Sequence, residues 1–185
     1  PSDSPTPSDT PTPSDTPTPT DTPTDTPTPT NTPTATPLPT TYTLLPVADS
    51  YVYGPNPDTN YGSSTALRTD ASPDTRSYLR FDLQGVSGTI ISATLRVYAE
   101  TGSSVGFDVH GVTDNTWTEA GLTYNNGPAM GSIAATSGAI GAGTWMEVDI
   151  TALATGGEPL SLALTATGNT AVRYSSREGS NPPQL

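Results

Sequence analysis

Two carboxylates have the spacing that catalysis would need. Glu147 and Asp149 stand two apart in Trp145-Met146-Glu147-Val148-Asp149-Ile150. On a strand both would leave the same face with backbones about 7 Å apart, close to the separation used by retaining glycosidases. A hydrolytic triad would also need a histidine, and the single one, His110, sits two residues after Asp108. With no cysteine and one histidine, zinc sites and Cys–His catalysis are excluded. Nothing in the sequence raises a carboxylate pKa, and a lone histidine on a strand is usually a structural hydrogen-bonding residue. The residues argue for binding and against catalysis.

Binding chemistry is carried by six arginines in a chain with no lysine. Arginine recognises carboxylates bidentately, and aromatic rings stack on the apolar faces of sugars. Arg76, Tyr78, Arg80, Arg96 and Tyr98 alternate along two neighbouring stretches, and Arg173 and Arg177 lie together further on. Such a set suits an anionic glycan. The competing reading is a surface ion-pair network with Asp82, Glu100, Asp108 and Glu147, which would contribute little energy. Trp145, on the polar side of its strand, is the aromatic platform. Trp117, inside a loop, reads as core packing. Oxygen ligands for a structural calcium ion are offered by Asp49, Asp58, Asn60 and Glu178, all in or beside loops. For Asp58 and Asn60 the rival role is an Asx turn.

The elements that must position these residues are strands. In Arg76-Ser77-Tyr78-Leu79-Arg80-Phe81-Asp82-Leu83 strict alternation sends Ser77, Leu79, Phe81 and Leu83 to one face and the charged residues to the other. The stretch 90–100 is its expected antiparallel partner, with Ile91, Ala93, Leu95, Val97 and Ala99 inward. Further strands are expected at 43–53 (broken at Pro46), 66–68, 105–112, 145–150, 160–165 and 171–176, the last two joined by a Gly168-Asn169 hairpin. The small, glycine-rich run 129–140 is weakly patterned, and 150–154 has room for one helical turn. Many short strands with abundant Gly and Pro predict an all-β fold, an antiparallel β-sandwich of jelly-roll type.

Residues 1–41 differ from the rest. They form a Pro/Thr/Ser/Asp-rich low-complexity linker with an approximate six-residue repeat, carrying five acids (Asp3, Asp9, Asp15, Asp21, Asp25) and no base. So little apolar surface cannot offset ordering entropy, and frequent proline favours an extended, disordered chain. The dense Thr and Ser beside Pro suit O-glycosylation. The domain proper is residues 42–185. A net charge of −12 argues against nucleic acid, and no apolar run is long enough to span a membrane.

The ordered motifs Ala48-Asp49-Ser50-Tyr51-Val52, Asp58-Thr59-Asn60-Tyr61-Gly62, Arg76 to Leu83, Ser92-Ala93-Thr94-Leu95-Arg96, Trp117-Thr118-Glu119, Asn125-Asn126-Gly127-Pro128 and Ser176-Arg177-Glu178 through Leu185 resemble the DNRLRE domain. The likeness covers nearly all of residues 44–185. It implies a β-sandwich serving as a non-catalytic module of a secreted bacterial or archaeal protein, with glycan binding of the kind seen in alginate-type carbohydrate-binding modules. It also implies a closing strand that should continue past Leu185. The expected function is therefore a secreted carbohydrate-binding module that tethers its protein to a polysaccharide, an acidic one included. The rival is a structural or adhesive cell-surface protein of stalk and sandwich units, assembling by strand addition or as a fibre. No cofactor beyond structural calcium is expected.

Overall fold

Alternating apolar residues must be covered on one side, and in the computed structural model, which describes residues 38–185, two layers of strands cover one another. In chain order the strands are β1 (Ala48–Tyr53), β2 (Ala66–Ala71), β3 (Asp74–Phe81), β4 (Thr94–Ala99), β5 (Phe107–Val112), β6 (Met130–Thr136), β7 (Thr144–Asp149), β8 (Leu160–Ala166) and β9 (Val172–Ser175). One 3₁₀ turn, Thr151–Leu153, follows β7. All pairings are antiparallel, in the order β6-β5-β8-β3-β2-β9-β4-β7, with β1 on the free side of β3. This single curled sheet folds over at the β2–β3 hairpin. One layer is β6-β5-β8-β3-β1 and the other is β2-β9-β4-β7. The fold class is the expected one.

The fold-over has a local cause. β2 and β3 pair directly only at Asp70–Ala71 with Asp74–Thr75. Beyond that they diverge, and the Ser77 side chain fills the gap. Its hydroxyl donates to the Arg68 carbonyl at 2.7 Å and accepts the Arg68 N–H at 2.9 Å. Ser77 was expected inward, and this is what an inward serine does here.

Between the layers lies the main core. Leu79, Phe81 and Leu83 meet Leu95, Val97, Phe107, Val109, Val148, Leu162, Leu164, Val172 and Tyr174. A second, smaller core forms on the outside of the first layer, where the loop after β5 lays Trp117 and Leu122 over Ala48, Val52, Tyr78, Val112 and Ala163. The Trp117 indole N–H donates to the Ser161 hydroxyl at 3.1 Å. Trp117 is core, as expected.

Several strand expectations are corrected. Residues 76–83 and 90–100 are not partners. β3 pairs with β1, β2 and β8, whereas β4 pairs with β7 and β9 in the opposite layer. Alternation reports which face is buried and not against which strand. Strand β4 begins at Thr94, and Ile91 is 72% exposed. Val105 is exposed ahead of β5, and Met146 of β7 is only half-buried. Gly168-Asn169 does not close a hairpin, because β8 and β9 belong to different layers. Residues 130–136, weakly patterned, form the edge strand β6. Residues 43–47 are not a strand, although Leu44 exchanges two backbone hydrogen bonds with Leu185. Gln184 likewise bridges to Arg96 of β4. Thr40–Leu185 form one compact unit. The linker expectation falls on residues 1–37, outside the described residues, and on the few that follow them. No described helix is long and apolar enough to cross a membrane.

Candidate functional site

The arginines expected on one shared surface are divided between the two layers, and most are engaged. Arg76 pairs with Asp74 and lies 5.3 Å from the Tyr124 ring centre. Burial works to raise the Asp74 pKa, but hydrogen bonds from Arg76 and Tyr124 and the Arg76 charge outweigh it and hold the carboxyl below its usual range. Tyr78, expected on the polar face, is 1% exposed in the second core, its hydroxyl donating to the Pro128 carbonyl. Arg80 donates to the carbonyls of Asn115 (2.9 Å) and Trp117 (2.5 Å) and stacks on the Trp117 ring. It fastens the loop that lays Trp117 over the sheet. The shared binding face of Arg76, Tyr78, Arg80, Arg96 and Tyr98 therefore does not exist as one surface: the loop 113–128 covers the first three, and the last two are on the other layer.

On that other layer Arg96 pairs with Glu147 at 2.9 Å, donates to the Gln184 side chain and covers the Trp145 ring at 4.8 Å. Tyr98 meets Trp145 edge-on at 5.5 Å. Arg173 pairs with Glu100 at 3.1 Å. Arg177 pairs with Glu119 and Glu178 and donates to the Val47 carbonyl. Among the carboxylates, Glu147 is thus taken by Arg96, and Asp149 accepts from the Thr151 N–H and hydroxyl. Those two bonds hold the Asp149 pKa below its ordinary value, the opposite of what a general acid needs. His110 is structural as read: Nδ1 meets the Gly131 carbonyl and therefore carries its proton, while Nε2 meets the Thr165 hydroxyl.

Arg68 is the exception. Among the described residues it is exposed, and no carboxylate or carbonyl holds its guanidinium, which lies 5.2 Å over the Tyr51 ring. Tyr51 in turn stacks on Tyr61 with centroids 4.2 Å apart and planes 18° from parallel. These residues line a cleft of about 450 Å³ together with Tyr53, Asn56, Asp70 and Thr75. Burial pushes the Tyr51 hydroxyl pKa up, against the Arg68 and Arg173 charges. Tyr51 is itself 6% exposed, its ring stacked on Tyr61 and overlain by Arg68, so the cleft offers the half-buried Tyr61, polar side chains and one cation that no carboxylate or carbonyl holds. Sequence reasoning passed over all of it. Tyr51 and Tyr61 stand in motifs that were noted, but nothing local shows that a turn brings them face to face.

A second constellation joins three segments. Asp49 on β1, Glu119 in the loop after β5 and Glu178 after β9 bring carboxylate oxygens within 4.8 Å of one another. Asp49 is 1% exposed. Burial, with the Glu178 and Glu119 charges, drives its pKa up to about 7 against the hydrogen bond from the Arg177 N–H and the Arg177 charge. Three carboxylates thus face one guanidinium, an excess of negative charge that a hard cation with oxygen ligands would fit. Two of the four expected calcium ligands, Asp49 and Glu178, meet here, and Glu119 is the residue sequence reasoning missed. Asp58 instead accepts from the Asn125 amide, and Asn60 donates to the carbonyls of Glu119 and Leu122. Asn60 also accepts the Gly62 N–H, which is an Asx turn.

The family model described as Carbohydrate-binding module family 96 matches residues 40–185. A comparison with curated proteins finds no match.

Proposed function

The chain belongs to carbohydrate-binding module family 96 through residues 40–185, and from that we propose a non-catalytic module that holds its parent protein against a polysaccharide through the Tyr51–Tyr61–Arg68 cleft. The observation that carries this reading is the Arg68 guanidinium, which neither a carboxylate nor a carbonyl holds, set beside a stacked tyrosine pair. Aromatic faces stack on the C–H surfaces of a sugar ring, and a free arginine donates two hydrogen bonds to a carboxylate. The ligand class is therefore a uronic-acid polysaccharide, in line with the likeness to DNRLRE domains. The module does no chemistry on it. It raises the local concentration of whatever it is joined to.

The test is calorimetric titration of the protein with alginate and with a neutral β-glucan. Arg68→Ala should weaken alginate binding by about 10- to 100-fold, as expected for losing charge-assisted hydrogen bonds of about 1.5–3 kcal/mol. It should leave the melting temperature close to wild type. Unchanged alginate affinity in that variant would overturn the cleft assignment.

The Asp49, Glu119 and Glu178 carboxylates are proposed as the protein ligands of a structural calcium ion. What supports this is the donor set itself: three hard oxygen ligands from three separate segments, with too little positive charge among them. The ion would tie β1 to the two loops. A chelator should then lower the melting temperature and added calcium restore it. No shift on chelation means that the ion has no such role.

The Pro/Thr/Ser/Asp-rich residues 1–41 are proposed as an O-glycosylated spacer of a secreted or cell-surface protein, a reading supported by their composition. Intact-mass measurement on protein secreted by its native host, showing hexose increments confined to this segment, is the expected result. An unmodified mass would remove the glycosylation from the reading.

A further inference from the structure

We propose that the glycan path continues from the cleft across the outer face of the β2-β9-β4-β7 layer and ends on Trp145, so that the module reads an oligosaccharide and not a single sugar. This rests on the cleft reading and extends it. The register supplies the path. Arg68 on β2 stands opposite Arg173 on β9, and their inner neighbours Leu67 and Tyr174 point into the core. Ala99 of β4 stands opposite Tyr174, which sets Glu100 opposite Arg173 and Tyr98 opposite Ser175, one same-face position further along the strand. Tyr98 then stands opposite Trp145 on β7. Arg68, Arg173, Glu100, Tyr98 and Trp145 therefore form a stripe on one face, crossing the strands. From β2 to β7 there are three strand steps of about 4.8 Å, a span of about 14 Å. That is the length of a short oligosaccharide.

The chemistry of the stripe changes along its length in a useful way. At one end stand the tyrosine pair and the unclaimed Arg68. At its middle the exposed Arg173–Glu100 pair offers donors and acceptors to sugar hydroxyls. At the far end Trp145 is only half-buried, and it is held on one face by Arg96 at 4.8 Å and edge-on by Tyr98 at 5.5 Å. An indole fixed in this way is a preorganised plate, which lowers the ordering cost of stacking a sugar. Trp145 is not among the main-core residues, to which this stretch contributes Val148 and Ile150 with Met146 packed against them.

The experiment compares alginate disaccharide with alginate hexasaccharide on the full chain by calorimetry. Wild type should bind the hexasaccharide about two- to tenfold more tightly, the size expected for one further aromatic contact. Trp145→Ala should erase that gain while leaving disaccharide affinity unchanged, and Trp145→Phe should retain part of it. Fluorescence offers a check that does not depend on the alanine variant: in a Trp117→Phe background the emission of Trp145 should shift with hexasaccharide and not with disaccharide. Equal affinity for the two lengths, or a length gain that survives Trp145→Ala, overturns the path and leaves the cleft standing. Failure of both oligomers to bind overturns the cleft reading, and the path with it.

Discussion

Arginine identity alone says little here; what the guanidinium touches decides its role. Arg80 is held by two loop carbonyls and an indole, so its work is structural. Arg80→Ala should cost about 2–3 kcal/mol of stability, since hydrogen bonds to a charged group contribute about 1.5–3 kcal/mol and two carbonyls would be left without a donor. Chemical denaturation measures this, and a loss below about 0.5 kcal/mol, the range of ordinary surface substitutions, would show that the loop does not depend on it. Asp49 makes a pH-dependent prediction. Its folded pKa of about 7 lies above the unfolded value of 3.8, so the native state binds the extra proton between those values. Its contribution is fully present below the unfolded value and is lost as pH rises through about 7. In chelator the melting temperature should therefore fall from pH 5 to pH 8, with a loss of stability of about 3 kcal/mol. Asp49→Asn should flatten that slope. Calcium should stabilise the wild type most at pH 8, where the carboxylate is ionised, and least at pH 5. An identical pH dependence in wild type and variant would mean that Asp49 ionises freely.

At the scale of elements, the loop after β5 is the piece that rewrites the surface. Alternation along β3 marks Tyr78 and Arg80 as outward, and they are outward from the main core. The loop carrying Trp117 and Leu122 then covers them and turns that outer face into a second core. The same loop carries Glu119, and its approach to the 54–62 turn is close enough that a Cβ at Gly62 would overlap the Glu119 carbonyl oxygen. Gly62 sits beside Tyr61, one wall of the cleft. Gly62→Ala should consequently disturb two things at once, moving Glu119 away from Asp49 and Tyr61 away from Tyr51. The expected result is a lower melting temperature, a smaller response to chelator and weaker alginate binding. A variant that loses glycan affinity while responding to chelator as wild type does would separate the two sites.

For the molecule as a whole, the consequence of the fold-over at β2–β3 is that the two layers have different outer faces. One is roofed by the loop 113–128. The other, β2-β9-β4-β7, leaves Arg68 and Glu100 exposed and Arg173, Tyr98 and Trp145 half-buried on its outer side. That asymmetry is why the proposed glycan path is drawn on this layer, with the cleft at its β2 margin. The carboxylate cluster lies where β1, the 119 loop and the 176–178 segment converge. Chelation therefore tests the join between segments distant in sequence, and alginate titration tests the open face.

The all-β class, the inward residues Leu79, Phe81, Leu95 and Val97, the core role of Trp117 and the structural role of His110 were all determined by the sequence alone. The reason is that period-two alternation and residue chemistry are local properties that survive without knowledge of partners. Asp49 and Glu178, singled out together from the sequence, do meet in one carboxylate cluster. Only the tertiary structure decided which strands pair, and with that which arginine is free. Alternation is the same whichever neighbour a strand takes, so β3 and β4 look like partners although they lie in opposite layers. The Tyr51–Tyr61 stack, the third carboxylate at Glu119 and the stripe from Arg68 to Trp145 are products of long-range register, which no short stretch of this chain encodes.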